Sequence, residues 1–310
     1  MRALVTGCAG FIGSNLVDYL LEKDFEVIGI DNFTNYYSRN LKESNITDAK
    51  DQSNFTFLEK DLLEMNKFPK KIDYVFHLAA QAGVRASWGE KFHIYTKNNI
   101  EATQRLLEFY KDVEIKKFVY SSSSSVYGDV QLPMNEKSIL KPVSPYGVSK
   151  LAGEHLSYLY WKNYGVPTVS LRYFTVYGPR QRPDMAINKF TQAIINNNEI
   201  SIYGNGEQTR DFTYVEDVLK ANMKAAENYC TGEIYNIGGG NTISIIDLIK
   251  ILEGIINKKA TIKKRESEKG DVKDTLADVE KAQKDLKWTP KVRIENGLSK
   301  YVKWILESSV

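Results

Sequence analysis

Short apolar runs alternate with helical patterns along the first half of the chain. Helical spacing covers residues 11–21 and 99–110 and begins again after residue 144. Strands of continuous apolar character, separated by helices, predict a parallel sheet with helices on both faces, which is a doubly wound α/β fold. The runs that predict the strands lie at residues 3–5, 27–30, 55–58, 74–78, 118–120 and 169–173.

The helix after residue 144 has clear start and stop signals. Ser144 can cap it, and Pro145 suits its first helical position. Gly165 can end it. The signals predict one long helix over residues 145–164.

Three other segments have a different pattern. Residues 32–52 are polar and rich in Asn, which predicts a solvated excursion. Beyond residue 174 the alternation weakens, so we expect loops to dominate a smaller C-terminal lobe, with the chain returning at least once to the large domain. Residues 258–273 are dense in charge and predict a surface stretch.

Composition narrows the classes of partner. The 310 residues include 42 basic and 39 acidic side chains, so the net charge of +3 indicates neither a nucleic-acid nor a membrane-surface partner. We see no signal peptide and no apolar run of the roughly 18 residues that a membrane span needs. Cys8 and Cys230 are far apart, which favours a reducing cytoplasm, and the three isolated His residues have no metal-site spacing.

A glycine-rich turn joins the first predicted strand to the first helix. In "VTGCAGFIG", Gly7, Gly10 and Gly13 allow a tight turn, close approach of a pyrophosphate and close packing of helix on strand. Asp31 ends the second strand 18 residues past Gly13 and can accept hydrogen bonds from a ribose. Because no Arg follows Asp31 directly, the pattern predicts a Rossmann-type domain that binds NAD rather than NADP. The alternative is a set of glycines that only packs the helix.

A reactive pair begins the long helix. Tyr146 and Lys150 are four residues apart in "SPYGVSK" and share one helix face. A nearby ammonium lowers the pKa of a phenol, so we expect Tyr146 to act as a general base near neutral pH. Ser123 lies at the carboxyl end of the fifth strand, where open α/β sheets bind ligands. The alternative is an ordinary surface Tyr/Lys pair.

Ser123 belongs to a tract of five serines, "YSSSSSVYG". Such a tract is typical of a flexible linker. The apolar run before it, and the rarity of long structureless loops inside domains, favour a strand end instead.

Several motifs in order give the chain a family resemblance over nearly its whole length. It resembles the extended short-chain dehydrogenase/reductases, and among them the nucleotide-sugar 4-epimerases. The motifs are "TGCAGFIG", "HLAA" at residues 77–80, Asn99, "SSSSSVYG", "YGVSK", "VYGPRQRPDMA", "GNGEQTRDFTYVEDV" and "YNIGGG". The resemblance implies tightly held NAD, a UDP-sugar substrate, a catalytic triad of Ser123, Tyr146 and Lys150, and a homodimer through the two long helices.

The resemblance also implies binding residues. Asp61 matches the acid at the adenine, and Arg210 matches an arginine at the UDP diphosphate, a role that suits a guanidinium. The implied cofactor residues are Gly7, Gly10, Phe11, Ile12, Gly13, Asp31, Asn32, Asp61, Leu62, Leu78, Ala79, Ala80, Asn99, Tyr146, Lys150 and Tyr173. The implied substrate residues are Arg85, Ser123, Ser124, Ser125, Tyr146, Thr175, Arg182, Arg210 and Asp271.

These assignments predict two lobes. Residues 1–173 form the NAD-binding domain, to which the chain returns around 211–238. Residues 174–210 and 239–310 form the UDP-sugar lobe.

The serine tract distinguishes between related chemistries. The similar 4,6-dehydratases carry an Asp-Glu pair directly after the Ser or Thr of the triad, and UDP-glucuronate decarboxylases carry a Glu just before Val-Tyr-Gly. Here these positions are Ser124 and Ser125, which cannot readily act as acid or base near neutral pH. Oxidation at C4 therefore has no equipped follow-up step, and epimerisation through a 4-keto intermediate remains.

The identity of the sugar depends on a few positions. Thr175 stands where glucose-type epimerases have Asn, and with "RPDMA" and "AGVRASWG" it makes the chain similar to the UDP-glucuronate 4-epimerases. A C6 carboxylate requires donors, which Arg182, Thr175, Ser124 and Ser125 offer; Arg180 is a weaker candidate. The family often has Arg-x-Gly-Asp near the diphosphate, but here Lys269 is followed by Gly270 and Asp271, and Lys269 or Arg85 can substitute.

Two other functions stay open. One is a 4-epimerase of UDP-glucose or UDP-N-acetylglucosamine. The other is a non-catalytic NAD-binding regulator or an RNA-associated relative, which the complete triad and the absence of a basic stripe disfavour.

Overall fold

The structure is a computed structural model that describes residues 1–266 and 272–308. Its strands are β1 (Arg2–Thr6), β2 (Glu26–Asp31), β3 (Phe55–Glu59), β4 (Tyr74–His77), β5 (Lys117–Ser123), β6 (Thr168–Tyr173), β7 (Thr175–Tyr177), β8 (Glu199–Tyr203), β9 (Thr209–Tyr214), β10 (Glu233–Ile237), β11 (Thr242–Ser244) and β12 (Thr261–Arg265). Its α-helices are α1 (Phe11–Leu21), α2 (Arg39–Ser44), α3 (Thr47–Lys50), α4 (Phe92–Tyr95), α5 (Ala102–Tyr110), α6 (Pro145–Tyr164), α7 (Ala186–Ile195), α8 (Val215–Glu227), α9 (Ile245–Ile256), α10 (Glu280–Leu286) and α11 (Ile294–Ser308).

A parallel seven-stranded sheet organises these elements, in the order β10-β6-β5-β4-β1-β2-β3. Successive residues of β1 pack into different cores: Leu4 lies in the core that contains α5, whereas Ala3 and Val5 lie in the core that contains α1 and α8. The predicted doubly wound sheet with helices on both faces is therefore confirmed. The strand order reverses between β1 and β4, and the carboxyl edge at such a reversal is where ligands bind.

The helix signals correspond to real ends. Helix α1 covers the predicted residues 11–21. At the start of α6, the Ser144 side chain accepts a hydrogen bond from the backbone N–H of Gly147, and at its end Gly165 adopts the left-handed conformation with φ 74°. The predicted helix 99–110 starts earlier than expected, because α4 and a π-helical turn at Thr96–Glu101 precede α5 without a break.

Two expectations about loops are wrong. Beyond residue 174 the chain forms regular helices and strands rather than mostly loops. Within residues 32–52, Phe33, Ile46 and Ala49 are buried, so this segment packs on the domain instead of extending into solvent. Within residues 32–52 the apolar positions are sparse, so tertiary contacts bury them; beyond residue 174, helices such as α9 (Ile245–Ile256) carry apolar residues at helical spacing that the sequence-based expectation missed.

The C-terminal half of the chain adds elements to the main sheet and also forms smaller sheets of its own. β10 joins the edge of the main sheet beside β6, and α8 packs against α1. The chain also forms a three-stranded sheet (β11-β9-β7) and a β12-β8 pair. One apolar core runs from Leu16 of α1 to Leu248 of α9 and Tyr301 of α11, so both halves are anchored to each other. The exact division into two lobes stays a prediction.

Candidate active site

An open cleft follows the carboxyl edge of the main sheet, where open α/β sheets bind ligands. It contains every cofactor residue predicted from the sequence except Asn99. The predicted residues that line it are Gly7, Gly10, Phe11, Ile12, Gly13, Asp31, Asn32, Asp61, Leu62, Leu78, Ala79, Ala80, Tyr146, Lys150 and Tyr173.

The glycine turn forms one end of this cleft. Gly7 has φ +70°, and its N–H donates to the carbonyl oxygen of Ile30 at 2.8 Å. A Cβ on Gly13 would lie 2.0 Å from the carbonyl oxygen of Gly7, so the helix can approach the turn only without a side chain. No side chain caps α1 at Gly10. The first N–H groups of α1 therefore face a cradle suited to phosphate.

Two acids form the adjoining part of the cleft. Asp31 accepts hydrogen bonds from the backbone N–H groups of Ala9 at 3.1 Å and Phe33 at 2.8 Å. Burial raises the pKa of the Asp31 carboxyl, and these two hydrogen bonds oppose the rise. Asp61 accepts from the Asn32 amide at 2.9 Å. Both acids are thus fixed by neighbours while they face the cleft.

The sequence did not point to another group of cleft residues. Tyr36, Tyr37 and Lys42 come from the segment that was expected to be solvated. The Lys42 ammonium donates to the carbonyl oxygen of Thr34 at 2.5 Å and lies 4.7 Å from the centre of the Tyr37 ring. No sequence pattern marks these residues, because only the folding of the segment back over Asp31 brings them to the cleft.

Each hydroxyl at the start of the serine tract has a different partner. Ser121 hydrogen-bonds the Tyr173 hydroxyl at 3.1 Å, and Ser122 donates to Glu154 at 2.5 Å. The Ser123 hydroxyl accepts a hydrogen bond from the backbone N–H of Ser125 at 3.2 Å, and it acts to lower the pKa of the Tyr146 phenol. The tract is therefore the ordered end of β5 and the turn after it, as expected, and not a linker.

Tyr146 and Lys150 both face the cleft, but burial outweighs the predicted lowering of the Tyr146 pKa. Burial raises the pKa of the Tyr146 phenol; Ser123 and Arg182 oppose that rise. Burial also lowers the pKa of Lys150 to about 7, so Lys150 is only partly protonated near neutral pH. The Lys150 ammonium lies 4.6 Å from the centre of the Tyr120 ring.

A second pocket adjoins the turn after β5. It brings together four predicted substrate residues: Ser124, Ser125, Thr175 and Arg210. Three of them offer hydroxyl groups and one offers a guanidinium. Val84, Val143, Ser144, Val272 and Thr275 complete the lining. This chemistry suits an oxygen-rich anionic ligand.

The remaining predicted substrate residues lie in different places. Arg182 lines the main cleft together with Tyr146 and forms a two-point ion pair with Asp184, at 2.9 and 3.1 Å. Arg85 is exposed, is not among the residues that line either pocket, and lies over the Tyr203 ring at 4.1 Å. Lys269 and Asp271 lie outside the described residues.

Asn99 does not line the cleft, contrary to its predicted cofactor role. Its side chain bonds the backbone N–H and carbonyl of Gln81, at 2.7 and 3.0 Å, and the Ser149 hydroxyl at 2.8 Å. It thus braces the loop behind the cleft, whereas its neighbour Asn98 faces it. Arg180, the weaker candidate for a carboxylate contact, forms an ion pair with Asp18 at 2.6 Å.

Two other kinds of site are absent from the part of the chain that the structure describes. Residues 1–266 and 272–308 contain no cluster of three or more His, Cys, Asp or Glu side chains able to hold a metal ion. None of the helices these residues form is long and apolar enough to cross a membrane.

Comparisons with known proteins cover the chain almost end to end. The sequence profile of the family described as GDP-mannose 4,6 dehydratase matches residues 4–301. The UDP-glucuronate 4-epimerase of Thermodesulfobacterium geofontis (strain OPF15) is 42% identical over 312 residues, which cover 98% of this chain and 96% of the relative. The uncharacterized UDP-glucose epimerase YtcB of Bacillus subtilis (strain 168) is 41% identical over 309 residues, which cover 98% of each.

A solved structure extends the similarity to three dimensions. The crystal structure of UDP-glucuronic acid 4-epimerase from Bacillus cereus, in complex with UDP-glucuronic acid and NAD, is 44% identical to this chain. It superposes with a TM-score of 0.97 and covers 99% of this chain and 100% of that one.

Proposed function

The chain belongs to the GDP-mannose 4,6 dehydratase family, and from that premise we propose that it is a NAD-dependent 4-epimerase of UDP-sugars that converts UDP-glucuronate to UDP-galacturonate. It is therefore an isomerase. The relatives and structures named for this activity support the assignment.

The cleft has the features that NAD requires. The cradle at Gly7 and Gly13, which a Cβ would fill, suits the pyrophosphate, and Asp31 suits the adenosine ribose. Asp61 with Asn32 suits the adenine, and Tyr146 and Lys150 lie in the same cleft. When bound there, NAD⁺ would supply the hydride acceptor for sugar C4 and, once reduced, the hydride donor for the return step, and its nicotinamide would add positive charge to the cleft.

The triad moves the proton. Tyr146 takes the proton of the sugar 4-hydroxyl, and Ser123 hydrogen-bonds the same oxygen. Because burial raises the pKa of Tyr146, positive charge is needed in the cleft to favour its phenolate. Lys150, as an ammonium, contributes such charge, so the protonation state of Lys150 sets how readily Tyr146 acts as a base.

One observation supports epimerisation most directly: the residues beside Ser123 offer only hydroxyls. Ser124 and Ser125 line the second pocket at the positions where dehydratases carry their acid pair. The chain thus has the family's oxidation machinery without the groups that eliminate water. The family description names a dehydratase, but this pocket supports an epimerase.

The same pocket supports the uronate over a neutral sugar. Ser124, Ser125 and Thr175 can hold a C6 carboxylate by several hydrogen bonds, with Arg210 toward the diphosphate. Held in this way, the carboxylate of the 4-keto intermediate is kept from the geometry that releases CO₂. UDP-glucose is the second candidate, because the relative YtcB is named for it.

The test is a product assay without added cofactor. Purified protein is incubated separately with UDP-glucuronate, UDP-glucose and UDP-N-acetylglucosamine, and the nucleotide sugars are separated by chromatography. We expect UDP-galacturonate from UDP-glucuronate, without a UDP-pentose. Conversion of the neutral sugars alone would refute the uronate assignment and leave the epimerase; no conversion of any of them would refute both.

We also propose a homodimer through α5 and α6. Val148 and Leu159 are 46% and 49% exposed, and with His155 they share one face of α6. Light scattering should show a dimer that Leu159→Asp converts to monomer, whereas Tyr229→Asp, at a fully exposed site outside this face, leaves it intact. A wild-type monomer would overturn the proposal. A cytoplasmic location is consistent with the free thiols of Cys8 and Cys230.

A further inference from the structure

A carboxylate is buried beside the catalytic lysine. Glu154 follows Lys150 by four residues on α6, and only 2% of its side chain is exposed. It accepts three hydrogen bonds: from the Ser122 hydroxyl at 2.5 Å, and from the Nε and Nη2 of Arg172 at 2.9 and 2.7 Å. Because all three partners donate, the group is an ionised carboxylate and not a neutral acid.

Arg172 connects this carboxylate to the C-terminal half. Its Nη1 donates to the Tyr127 hydroxyl at 2.9 Å, which donates in turn to the side-chain oxygen of Asn236 at 2.6 Å. A buried ion pair is weak evidence for stability, since apolar side chains of similar volume often serve as well or better. A contribution to the stability of the fold therefore does not by itself explain why residue 154 carries a charge.

The packing of α6 on β5 places this charge at the active site. Tyr120 and Ser122 lie two residues apart on β5 and face the same side of the sheet. Tyr120 carries the Lys150 ammonium over its ring, and Ser122 bonds Glu154. Gly153 makes this contact close, because a Cβ there would lie 2.0 Å from the Tyr120 hydroxyl. Lys150 and Glu154 are thus held against the same strand, one helical turn apart.

We propose that Glu154 is a positioning residue, a fixed negative charge that keeps Lys150 protonated over Tyr120 and so keeps Tyr146 effective as a base. The proposal rests on the function proposed above and adds a residue to it. Arg172 and Ser122 hold the carboxylate in place, while Lys150 delivers its effect to the cleft.

The electrostatics of Lys150 agree with this geometry. Burial lowers the pKa of Lys150 to about 7, and the charge of Glu154 acts in the opposite direction. The groups on neighbouring elements do not compete for this role near neutral pH. On β4, burial lowers the pKa of His77 to about 3, and on β5 and β6 burial raises the pKa values of Tyr120 and Tyr173, so all three are neutral.

Two cations complete the surroundings. Arg172 on β6 is paired with Glu154, and Arg182, from the loop before α7, acts on Tyr146. Removing the charge of Glu154 therefore lowers the pKa of Lys150 further below its usual range. The ammonium is then lost at a lower pH, and the activity that needs it falls there too.

The test compares two substitutions at one position. Glu154→Gln keeps the shape and removes the charge, whereas Glu154→Asp keeps the charge and shortens the side chain. With the UDP-sugar that the wild type converts, the alkaline limb of the kcat profile should move about one pH unit lower in Glu154→Gln. In Glu154→Asp it should stay at the wild-type pH even if kcat falls. If the alkaline limb moved equally in Glu154→Gln and Glu154→Asp, or moved in neither variant, the proposal would be overturned.

Two further measurements cover other outcomes. If Glu154→Gln does not fold, the double variant Glu154→Gln with Arg172→Met removes both charges, and the same downward movement is expected. Ultraviolet difference titration against Tyr146→Phe, with each Glu154 variant as background, follows the Tyr146 phenol without substrate. Its pKa should rise in Glu154→Gln and not in Glu154→Asp. An unchanged phenol would refute the proposal even if the sugar assignment proved wrong.

Discussion

Changing Gly to Ala should have opposite effects on stability at two helical positions, because only one of them lies in close contact with the glycine turn. Gly13 of α1 and Gly254 of α9 are both helical, so changing either to Ala gains about 0.8–1 kcal/mol of intrinsic helix propensity. Among the described residues nothing lies within 4 Å of a Cβ built on Gly254. Gly254→Ala should therefore stabilise the protein by about 0.5–1 kcal/mol.

At Gly13 the same methyl group would lie 2.0 Å from the Gly7 carbonyl oxygen and 3.1 Å from the Cys8 Cα, which are backbone atoms. Relieving the first contact requires the helix and the turn to separate by about an ångström, and overpacking of this kind costs about 1–3 kcal/mol. Net of the propensity gain, Gly13→Ala should destabilise the protein by up to about 2 kcal/mol. The displaced turn should also lose its hold on the cofactor pyrophosphate.

The assay is thermal unfolding of both variants with and without added NAD, together with the NAD released on denaturation. For a chain of this size we expect the Tm to fall by up to about 3 °C in Gly13→Ala and to rise by about 1–2 °C in Gly254→Ala. Co-purified NAD should be lost only from Gly13→Ala. A Gly13→Ala protein with wild-type Tm and NAD content would refute the view that this contact shapes the cradle.

Three other predictions follow from the site. Tyr146→Phe should lower kcat at least about 100-fold, because general acid–base catalysis contributes about that much or more, while bound NAD is retained; epimerisation at a wild-type rate in the product assay would remove Tyr146 from its role. Thr175→Ala should release CO₂ and a UDP-pentose from UDP-glucuronate, and unchanged product purity by chromatography would argue against a carboxylate clamp. His77 is buried between Thr6 and Thr103, with its pKa lowered from 6.5 to about 3, so the unfolded state binds its proton first. The contribution of His77 to the free energy of unfolding should thus be complete above pH 6.5, and about 2–3 kcal/mol of it should be lost at pH 4.5. In denaturant titrations of His77→Gln, this part of the pH dependence should be absent.

The sequence indicated the local elements of the fold well where periodicity and end signals agree. Helix α1 lies at the predicted residues, and Ser144 and Gly165 bound α6 as expected. These features depend on residues near each other in the chain, since capping and left-handed glycine conformations are local properties. The glycine turn is local in the same way, since Gly7, Gly10 and Gly13 follow each other closely in the chain.

The sequence was less informative where burial comes from distant contacts. Lys42 and Tyr37 reach the cleft only because a polar segment folds back over Asp31. Asn99 faces Gln81 instead of the cleft, since its orientation depends on the π-helical turn before α5. Neither outcome leaves a periodic signal in the chain.

By itself, the sequence determined the doubly wound sheet and the hydroxyl tract in place of acids, because these follow from residue type and spacing; the triad of Ser123, Tyr146 and Lys150 stays a prediction. Only the tertiary structure decided the charge states within the site. Burial raises the pKa of Tyr146 and lowers that of Lys150, which reverses the simple expectation from their spacing. The fold also brings Arg172 to Glu154, 18 residues before it in the chain and one helical turn after Lys150. Desolvation depends on everything packed around a group, and no local pattern in a chain encodes it.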